Sequence, residues 1–329
     1  MGSNKFLGRD NKHNCCIEKY KKCIALAMEK NGAGIEACIG VQTSDRLRSF
    51  APEALGIWIG ATRAILGVEE LTKVPFRYKK DKKLYALDGI VVADTLGINE
   101  KHRFAALQVF SIYYLSVHLF DDIVEDSGKF HSKFKYSNVP PLNTELNASG
   151  MSFILHAALA VSNLLTTDLK LFSRKSVNKI MQAFIESLAK QTRYFTLEKD
   201  NLTPEEVLEI KQRKVSGEAT SFLFDVLQLG NCLEIRQGIY AKNALRYLGS
   251  LTQFTDDLRD YEKDKETGNA NILVSMEQKY ANYARDKFAA LYVDEERRML
   301  MAFRKAGLSI DKDLLKAIPW HPFFMKNIT

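Results

Sequence analysis

Apolar residues return every three or four positions along almost the whole chain, and nowhere do they alternate with polar ones over the length of a strand. Leu55, Ile57, Trp58, Ile59, Ala61 and Ile65 form one such stripe, and Pro52-Glu53 ahead of it is a helix-start signal. The same period predicts helices over Cys15–Lys30 and Glu36–Phe50, with Asn31-Gly32-Ala33-Gly34 as the break between them. Further helices are expected over Leu84–Leu96, from Asn99-Glu100 through the apolar segment Phe110–Phe120, and over Gly150–Leu165, Lys175–Phe195 and Pro204–Leu229. Thr203-Pro204-Glu205-Glu206 supplies a capping hydroxyl, a first-turn proline and early acids. Gln237–Asp264, Ser275–Tyr292 and Asp294–Ala306 complete the helical pattern, with Gly268-Asn269 and Gly307 as stops and Ile318–Phe324 expected as a non-helical tail. Ser127–Ser149, rich in Gly, Ser, Asn and Pro, is the clearest irregular segment and a candidate lid. With no repeat of fixed period and no linker, the pattern predicts one all-α domain over 1–329.

Composition fits long helices. Of 329 residues 46% are hydrophobic and 26% charged, enough for a large core, and 7 prolines and 18 glycines are few for a chain rich in turns. The net charge of +7 suits an anionic partner: nucleic acid, a membrane surface or a small polyanion such as a diphosphate. Basic residues are spread out except in Arg77-Tyr78-Lys79-Lys80-Asp81-Lys82-Lys83, read as a solvated loop with membrane-surface contact as the competing reading. No nucleic-acid-binding motif is present. The five cysteines have no C-x-x-C spacing, so neither a disulfide framework nor a zinc site is indicated. There is no run of 18 apolar residues and no secretory apolar stretch near the polar N-terminus, so the expected location is cytoplasmic. Peripheral membrane contact and a homodimer stay open.

The charges carry chemistry at two places. Asp256, Asp260 and Asp264 recur every four residues in Gln253-Phe254-Thr255-Asp256-Asp257-Leu258-Arg259-Asp260-Tyr261-Glu262-Lys263-Asp264. On a helix they share one face, with Cβ atoms roughly 5–6 Å apart, and like charges so placed repel. A cation held among them removes that repulsion, and Mg²⁺, which takes one or two carboxylates together with substrate phosphates, suits such a row. The competing reading is a solvated acidic face offset by Arg259, Lys263 and Lys265. A second cluster, Asp121-Asp122-Ile123-Val124-Glu125-Asp126, closes the apolar segment Phe110–Phe120, and acids at the end of so apolar a helix are expected to face a cavity. The clusters stand far enough apart in the chain for their helices to face one another across a bundle. Phe110, Tyr113, Tyr114, Phe222 and Phe224 would suit the wall of a cavity that holds a carbocation, and equally suit ordinary core packing. Gly217, within Lys214-Val215-Ser216-Gly217, marks either close helix packing or a substrate passing near the backbone. Lys214 reads as a diphosphate ligand or a surface lysine.

These residues carry a resemblance. Gln253-x-Thr255-x-x-Leu258-Arg259-Asp260-x-x-x-Asp264-x-x-x-Gly268 resembles the second aspartate-rich motif of squalene and phytoene synthases. Asp121–Asp126 resembles their first motif, Arg103-Phe104-Ala105-Ala106 is similar to the start of the helix bearing it, and Val215-Ser216-Gly217 is similar to their small-residue segment. The likeness runs loosely over residues 100–290, within the class I isoprenoid synthase superfamily, and terpene cyclases are a close alternative. It implies an all-α isoprenoid synthase-type helical bundle with a central active-site cavity, Mg²⁺ dependence and an allylic prenyl diphosphate substrate. Carried over by motif, Asp121, Asp122, Glu125, Asp126, Asp256, Asp257, Asp260 and Asp264 are candidate metal ligands, with Asp121, Asp122, Asp256 and Asp260 central to catalysis. Gln253, Arg259 and Lys214 are candidate diphosphate or positioning groups. The departures concern the acceptor. His118 stands where phytoene synthases carry Arg, Lys211-Gln212 replaces a Tyr-Cys pair, and the two arginines that follow the first motif of chain-elongating synthases are absent from Ser127–Lys133. Asp256-Asp257 makes the second motif more like that of elongating synthases and cyclases. The expected activity is therefore ionisation of the diphosphate and transfer of the prenyl group to an acceptor other than isopentenyl diphosphate, unless distant residues such as Arg63, Lys79 or Arg193 assemble the missing basic pocket. Internal quenching by a cyclase and a non-catalytic polyprenyl-lipid binder are the alternatives.

Overall fold

The computed structural model describes residues 4–66, 83–125, 157–168, 172–195, 202–230 and 238–325, all in helices and their connections, with no strand among them. The expected lid at Ser127–Ser149, the basic run at 77–83 apart from Lys83, and Asp126 lie outside the described residues. The chain divides into two compact units, one made of Met1–Arg48, Leu197–Gly217 and Ile239–Thr329, the other of Ser49–Thr196 and Glu218–Gly238.

In the second of these units, α4 (Ala51–Leu66), α5 (Lys83–Thr95), α6 (Glu100–Glu125), a helix at 157–163 (α7) that runs into a π-helical turn, α8 (Arg174–Phe195) and α10 (Glu218–Leu229) gather around α6. Helix α6 touches α4, α5, α8 and α10. Its residues 105–117 are all buried, as expected for a helix apolar on every side. Helix α8 is amphipathic instead: Val177, Ile180, Phe184 and Leu188 are buried at helical spacing.

The other unit begins with α1 (Asn4–Met28), which packs on α14 (Ala284–Lys305). A single helix is expected over Glu36–Phe50, but two form, α2 (Gly32–Ile39) and α3 (Val41–Ser49), because Gly40 sits at φ 112°. The run from Pro204 begins as expected, with a complete capping box: Glu206 N–H donates to Thr203 Oγ1 and Thr203 N–H to Glu206 Oε2. After one turn (α9, Pro204–Val207) it widens into a ten-residue π-helix, Leu208–Gly217. π-Helical turns are rare, and those found within helices are frequent at functional sites.

The helix expected over Gln237–Asp264 breaks at Asp260, whose φ and ψ of −96° and 5° are not helical, into α11 (Gly238–Arg259) and α12 (Tyr261–Thr267). Beyond it, α13 (Ile272–Tyr280) and α14 meet at a 3₁₀ turn, Ala281–Tyr283, where Ala281 takes φ 48°. The break thus comes at 281–283, and the chain runs helical through Val293, where a junction between two segments is expected. The tail is also helical: after α15 (Lys312–Ala317) come a 3₁₀ turn, Ile318–Trp320, and α16 (His321–Phe324). Its Trp320 is fully buried, 6.0 Å from the Tyr20 ring and 5.4 Å from Tyr292, so burial of a large aromatic surface, which no local signal announces, orders it. No helix among the described residues is long and apolar enough to cross a membrane.

Candidate active site

The second acid cluster is built where α11 gives way to α12. The break at Asp260 is one residue wide, because Asp260 N–H still donates to Asp256 O and Asp264 N–H to Asp260 O, both at 2.9 Å. The four aspartates therefore keep helical order but divide by environment. Asp257 and Asp264 are buried, while the side chains of Asp256 and Asp260 keep 29% and 39% of their exposure.

Asp257 is held from four directions. Its carboxylate accepts from Gln212 Nε2 (2.9 Å), Gln253 Nε2 (3.0 Å) and the backbone N–H of Ile272 (2.8 Å), and pairs with Lys211 Nζ at 3.1 Å. That is as many donors as a carboxylate has lone-pair sites. Burial pushes the Asp257 carboxyl up, against the pull of Lys211 and the Ile272 N–H. Asp264 accepts from Asn271 Nδ2 at 2.9 Å and lies 4.0 Å from Lys211 Nζ. Asn271 ties the cluster to the next helix: its Oδ1 caps α13 at Leu273 and Val274, and its Nδ2 also donates to Asp257 O. Lys211 completes the brace by donating to Ala270 O.

The π-helix delivers Lys211 and Gln212 to this brace. It lies close against α11, and Gly217 is the reason it can: a Cβ there would stand 2.8 Å from Arg246 O and 3.2 Å from Gln212 O. Of the two meanings open for Gly217, close packing is the one observed. Ser216 Oγ adds a hydrogen bond to Gly249 O at 2.8 Å.

The outward acids have a different partner. Arg259 donates through Nη2 to Asp256 and through Nε to Asp260 Oδ1 at 3.5 Å, so one guanidinium spans both carboxylates. Burial, then the charge of Asp256, holds the Asp260 carboxyl above its usual range. Two part-exposed carboxylates one helical turn apart, already bridged by a cation, are a donor set that fits Mg²⁺, which needs only one or two protein carboxylates beside phosphate oxygens. Among the described residues no group of three His, Cys, Asp or Glu side chains comes together as a metal cage.

Of the other expected site residues, Gln253 serves Asp257, and Lys214 lies 3.7 Å from Glu209 Oε1 with its side chain 36% exposed. Asp121, Asp122 and Glu125 stand in the last turns of α6, and Asp126 is outside the described residues. Phe110, Tyr113, Tyr114, Phe222 and Phe224 are all buried in their unit. Tyr113 stacks on Phe222 at 4.2 Å, and the hydroxyls of Tyr113 and Tyr114 pair with Ser187 and Thr220 at 2.8 and 2.7 Å. Sequence reasoning did not single out the roles of Lys211, Gln212 and Asn271. The first two stood out only as departures from a motif, and Asn271, an N-capping residue just past the Gly268 stop, carried a readable signal.

No protein-family model matches the chain, and no curated protein matches it in sequence. Solved structures do. A decaprenyl diphosphate synthase from Rhodobacter capsulatus is similar with a TM-score of 0.55 at 14% identity, over 87% of this chain and 100% of that one. A polyprenyl synthase from Roseobacter denitrificans has a TM-score of 0.51 at 11% identity, over 86% and 99%. A geranyltransferase from Legionella pneumophila has a TM-score of 0.50 at 13% identity, over 87% and 97%. The chain has the all-α isoprenoid synthase fold.

Proposed function

We propose that the protein is a Mg²⁺-dependent enzyme that ionises an allylic prenyl diphosphate and transfers the prenyl group to an acceptor. The observation that carries this reading is the sorting of the second acid row: Asp257 and Asp264 are braced inward, which leaves Asp256 and Asp260 as a rigidly phased outward pair. The fold supports it, and so do the names of the similar structures, which are those of prenyl-transferring enzymes.

In this reading Asp256 and Asp260 would hold a metal ion, and Asp121, Asp122, Glu125 and Asp126 of the first motif are candidate metal ligands by the resemblance of that motif alone. When bound, Mg²⁺ neutralises the diphosphate and makes it a better leaving group. The C–O bond to the allylic carbon breaks, its electron pair departs with the diphosphate, the acceptor's electrons close the new bond at that carbon, and the acceptor gives up a proton to the released diphosphate or to water. Arg259 and Lys214 contribute positive charge to the diphosphate. Asp257, Lys211, Gln212, Gln253 and Asn271 keep the outward acids in place.

We propose further that the acceptor is not isopentenyl diphosphate, because Ser127–Lys133 carries no arginine pair and Lys211, engaged with Asp257, is committed elsewhere. The test is incubation of the purified protein and Mg²⁺ with geranyl, farnesyl and geranylgeranyl diphosphate, each alone, with labelled isopentenyl diphosphate, and with other prenyl acceptors. Mg²⁺-dependent diphosphate release is the expected result, and its absence with every substrate sinks the proposal. Efficient formation of a chain longer by one isoprene unit sinks the acceptor reading alone.

A further inference from the structure

Cys15, Cys16, Cys23 and Cys38 crowd the N-terminal end of the chain, and the helical hairpin of α1 and α2 sorts them. Cys15 is exposed and Cys16 part-exposed, Cys23 is fully buried, and Cys38, on α2, is part-exposed. The two helices pack on one another across the short turn at residues 29–31. Their register is marked by one close approach: a Cβ on Gly34 would stand 2.7 Å from Leu26 Cδ2, so these two positions face each other. One helical turn farther from the connection stand Cys23, three residues before Leu26, and Cys38, four after Gly34. Their side chains hydrogen-bond there. Helix axes 8–10 Å apart, with Cα atoms on a radius of about 2.3 Å, bring facing Cα atoms to roughly 4–6 Å, a span that a disulfide bridges without moving the backbone.

From this juxtaposition we infer that Cys23 and Cys38 form a reversible thiol–disulfide pair, a modification site that a peroxide closes and a small thiol reopens. The inference is independent of the proposed function. Access divides the roles. Burial, then the neighbouring Cys38, pushes the Cys23 thiol up to about 12, so Cys23 keeps its proton and is inert on its own. Cys38 meets the oxidant. With hydrogen peroxide its sulfur takes one oxygen, which gives a sulfenic acid and one water. The sulfur of Cys23 then bonds to that sulfur, the S–OH bond breaks, and the hydroxyl leaves with the Cys23 proton as a second water. Two thiols have lost two electrons and one peroxide has gained them. The bridge fastens the hairpin on which the C-terminal tail rests, since a Cβ on Gly32, at the head of α2, would stand 2.5 Å from Phe323 O of α16.

The test is a peptide map of the full chain after brief exposure to hydrogen peroxide, in native buffer and in urea, with remaining thiols alkylated. Trypsin cleaves after Lys22, Lys30 and Arg46, which puts Cys23 and Cys38 in separate peptides, 23–30 and 31–46. In native buffer these two should appear joined, lighter than their sum by two hydrogens, as the main linked product. The thermal midpoint should rise by a few degrees, because the bridge constrains the unfolded chain, and dithiothreitol should reverse both changes. In Cys23→Ser the reaction should stop at a Cys38 sulfenic acid that dimedone labels, and in Cys38→Ser the Cys23 thiol should stay unmodified. If Cys23→Ser loses its native circular dichroism, the wild-type map and Cys38→Ser decide the matter. Cys38 that is oxidised or alkylated in the folded wild type without joining Cys23 overturns the inference. So does a bridge that forms as readily in urea, since the folded hairpin would then contribute nothing to it.

Discussion

Two stretches of the chain supply candidate site residues in sequence: the acid row from Asp256 to Asp264 and the aromatic run of α6 with its partners Phe222 and Phe224, which equally suit core packing. Their surroundings differ. The aromatic stretch is buried on all sides, its rings pack on one another and its hydroxyls are paired within the same unit. The acid row is split, with Asp257 and Asp264 in the interior and Asp256 and Asp260 at its edge. Chemical type alone therefore does not separate a site from a core. An adjacent pair such as Asp256 and Asp257 holds one residue of each kind, and their separate partners tell them apart.

The sharpest test of this contrast sets activity against stability. Asp260→Ala and Asp122→Ala should each abolish Mg²⁺-dependent diphosphate release while the thermal midpoint stays at or slightly above that of wild type, since each removes one member of a repelling set. A collapsed midpoint in both variants would place the acids with the aromatics as structural residues. Phe222→Ala should show the opposite behaviour, losing about 3–5 kcal/mol in urea unfolding by opening a cavity against Tyr113 and Phe184. An effect below about 1 kcal/mol would mean that this interior is loosely filled and open to a ligand after all.

The inward half of the acid row makes a prediction of similar size. Lys211→Met leaves Asp257 buried without its cation and should cost about 3–5 kcal/mol, as does removal of one partner from a buried ion pair. Replacing both residues, as in Lys211→Met with Asp257→Leu, should recover much of that loss, and failure to do so would show that the other donors to Asp257 matter more than the ion pair. Gly217→Ala should cost less, about 1–3 kcal/mol, because its new Cβ must push Arg246 O aside.

The smallest effect expected is a pH dependence. Burial and Asp256 hold the Asp260 carboxyl above its ordinary value, so folding favours its protonated form. The associated stability is complete below the ordinary carboxyl value of about 3.9 and is lost as pH rises through the raised value in the folded protein. With EDTA present, Asp260→Asn should therefore be slightly more stable than wild type at neutral pH, and the margin should close as pH falls toward about 4. Urea unfolding at a series of pH values would show it, and a margin that grows with acidity would contradict the assigned shift.

The helical fold was legible because its signals are local. Thr203-Pro204-Glu205-Glu206 forms the expected capping box, and Gly268 and Gly307 stop their helices where expected. The misplaced boundaries are those set by tertiary contacts. Neither Gly nor Pro marks the break at Ala281–Tyr283, and Ile318–Phe324, with two prolines, folds as helix because Trp320 is buried among aromatic rings. In the site, periodicity correctly put Asp256, Asp260 and Asp264 in helical order. It could not show that Asp264 turns inward, since that depends on Asn271 and Lys211, which arrive from other segments.

The π-helix from Leu208 to Gly217 makes this arrangement sensitive to chain length as well as to composition. A π-helix closes each hydrogen bond five residues along the chain where an α-helix closes it at four, so the segment holds more residues per turn than its neighbours. Deleting a single residue between Val207 and Lys211 would let the turn tighten to the α form and swing Lys211 and Gln212 about 100° around the axis. Asp257 would then lose its ion pair and one amide donor at once, although every residue type in the brace would still be present in the chain. An insertion at the same point would do the same in the opposite sense. Substitutions here act one group at a time, whereas a change of phase moves the whole set, so the spacing from Thr203 to Gly217 is itself part of what specifies the site.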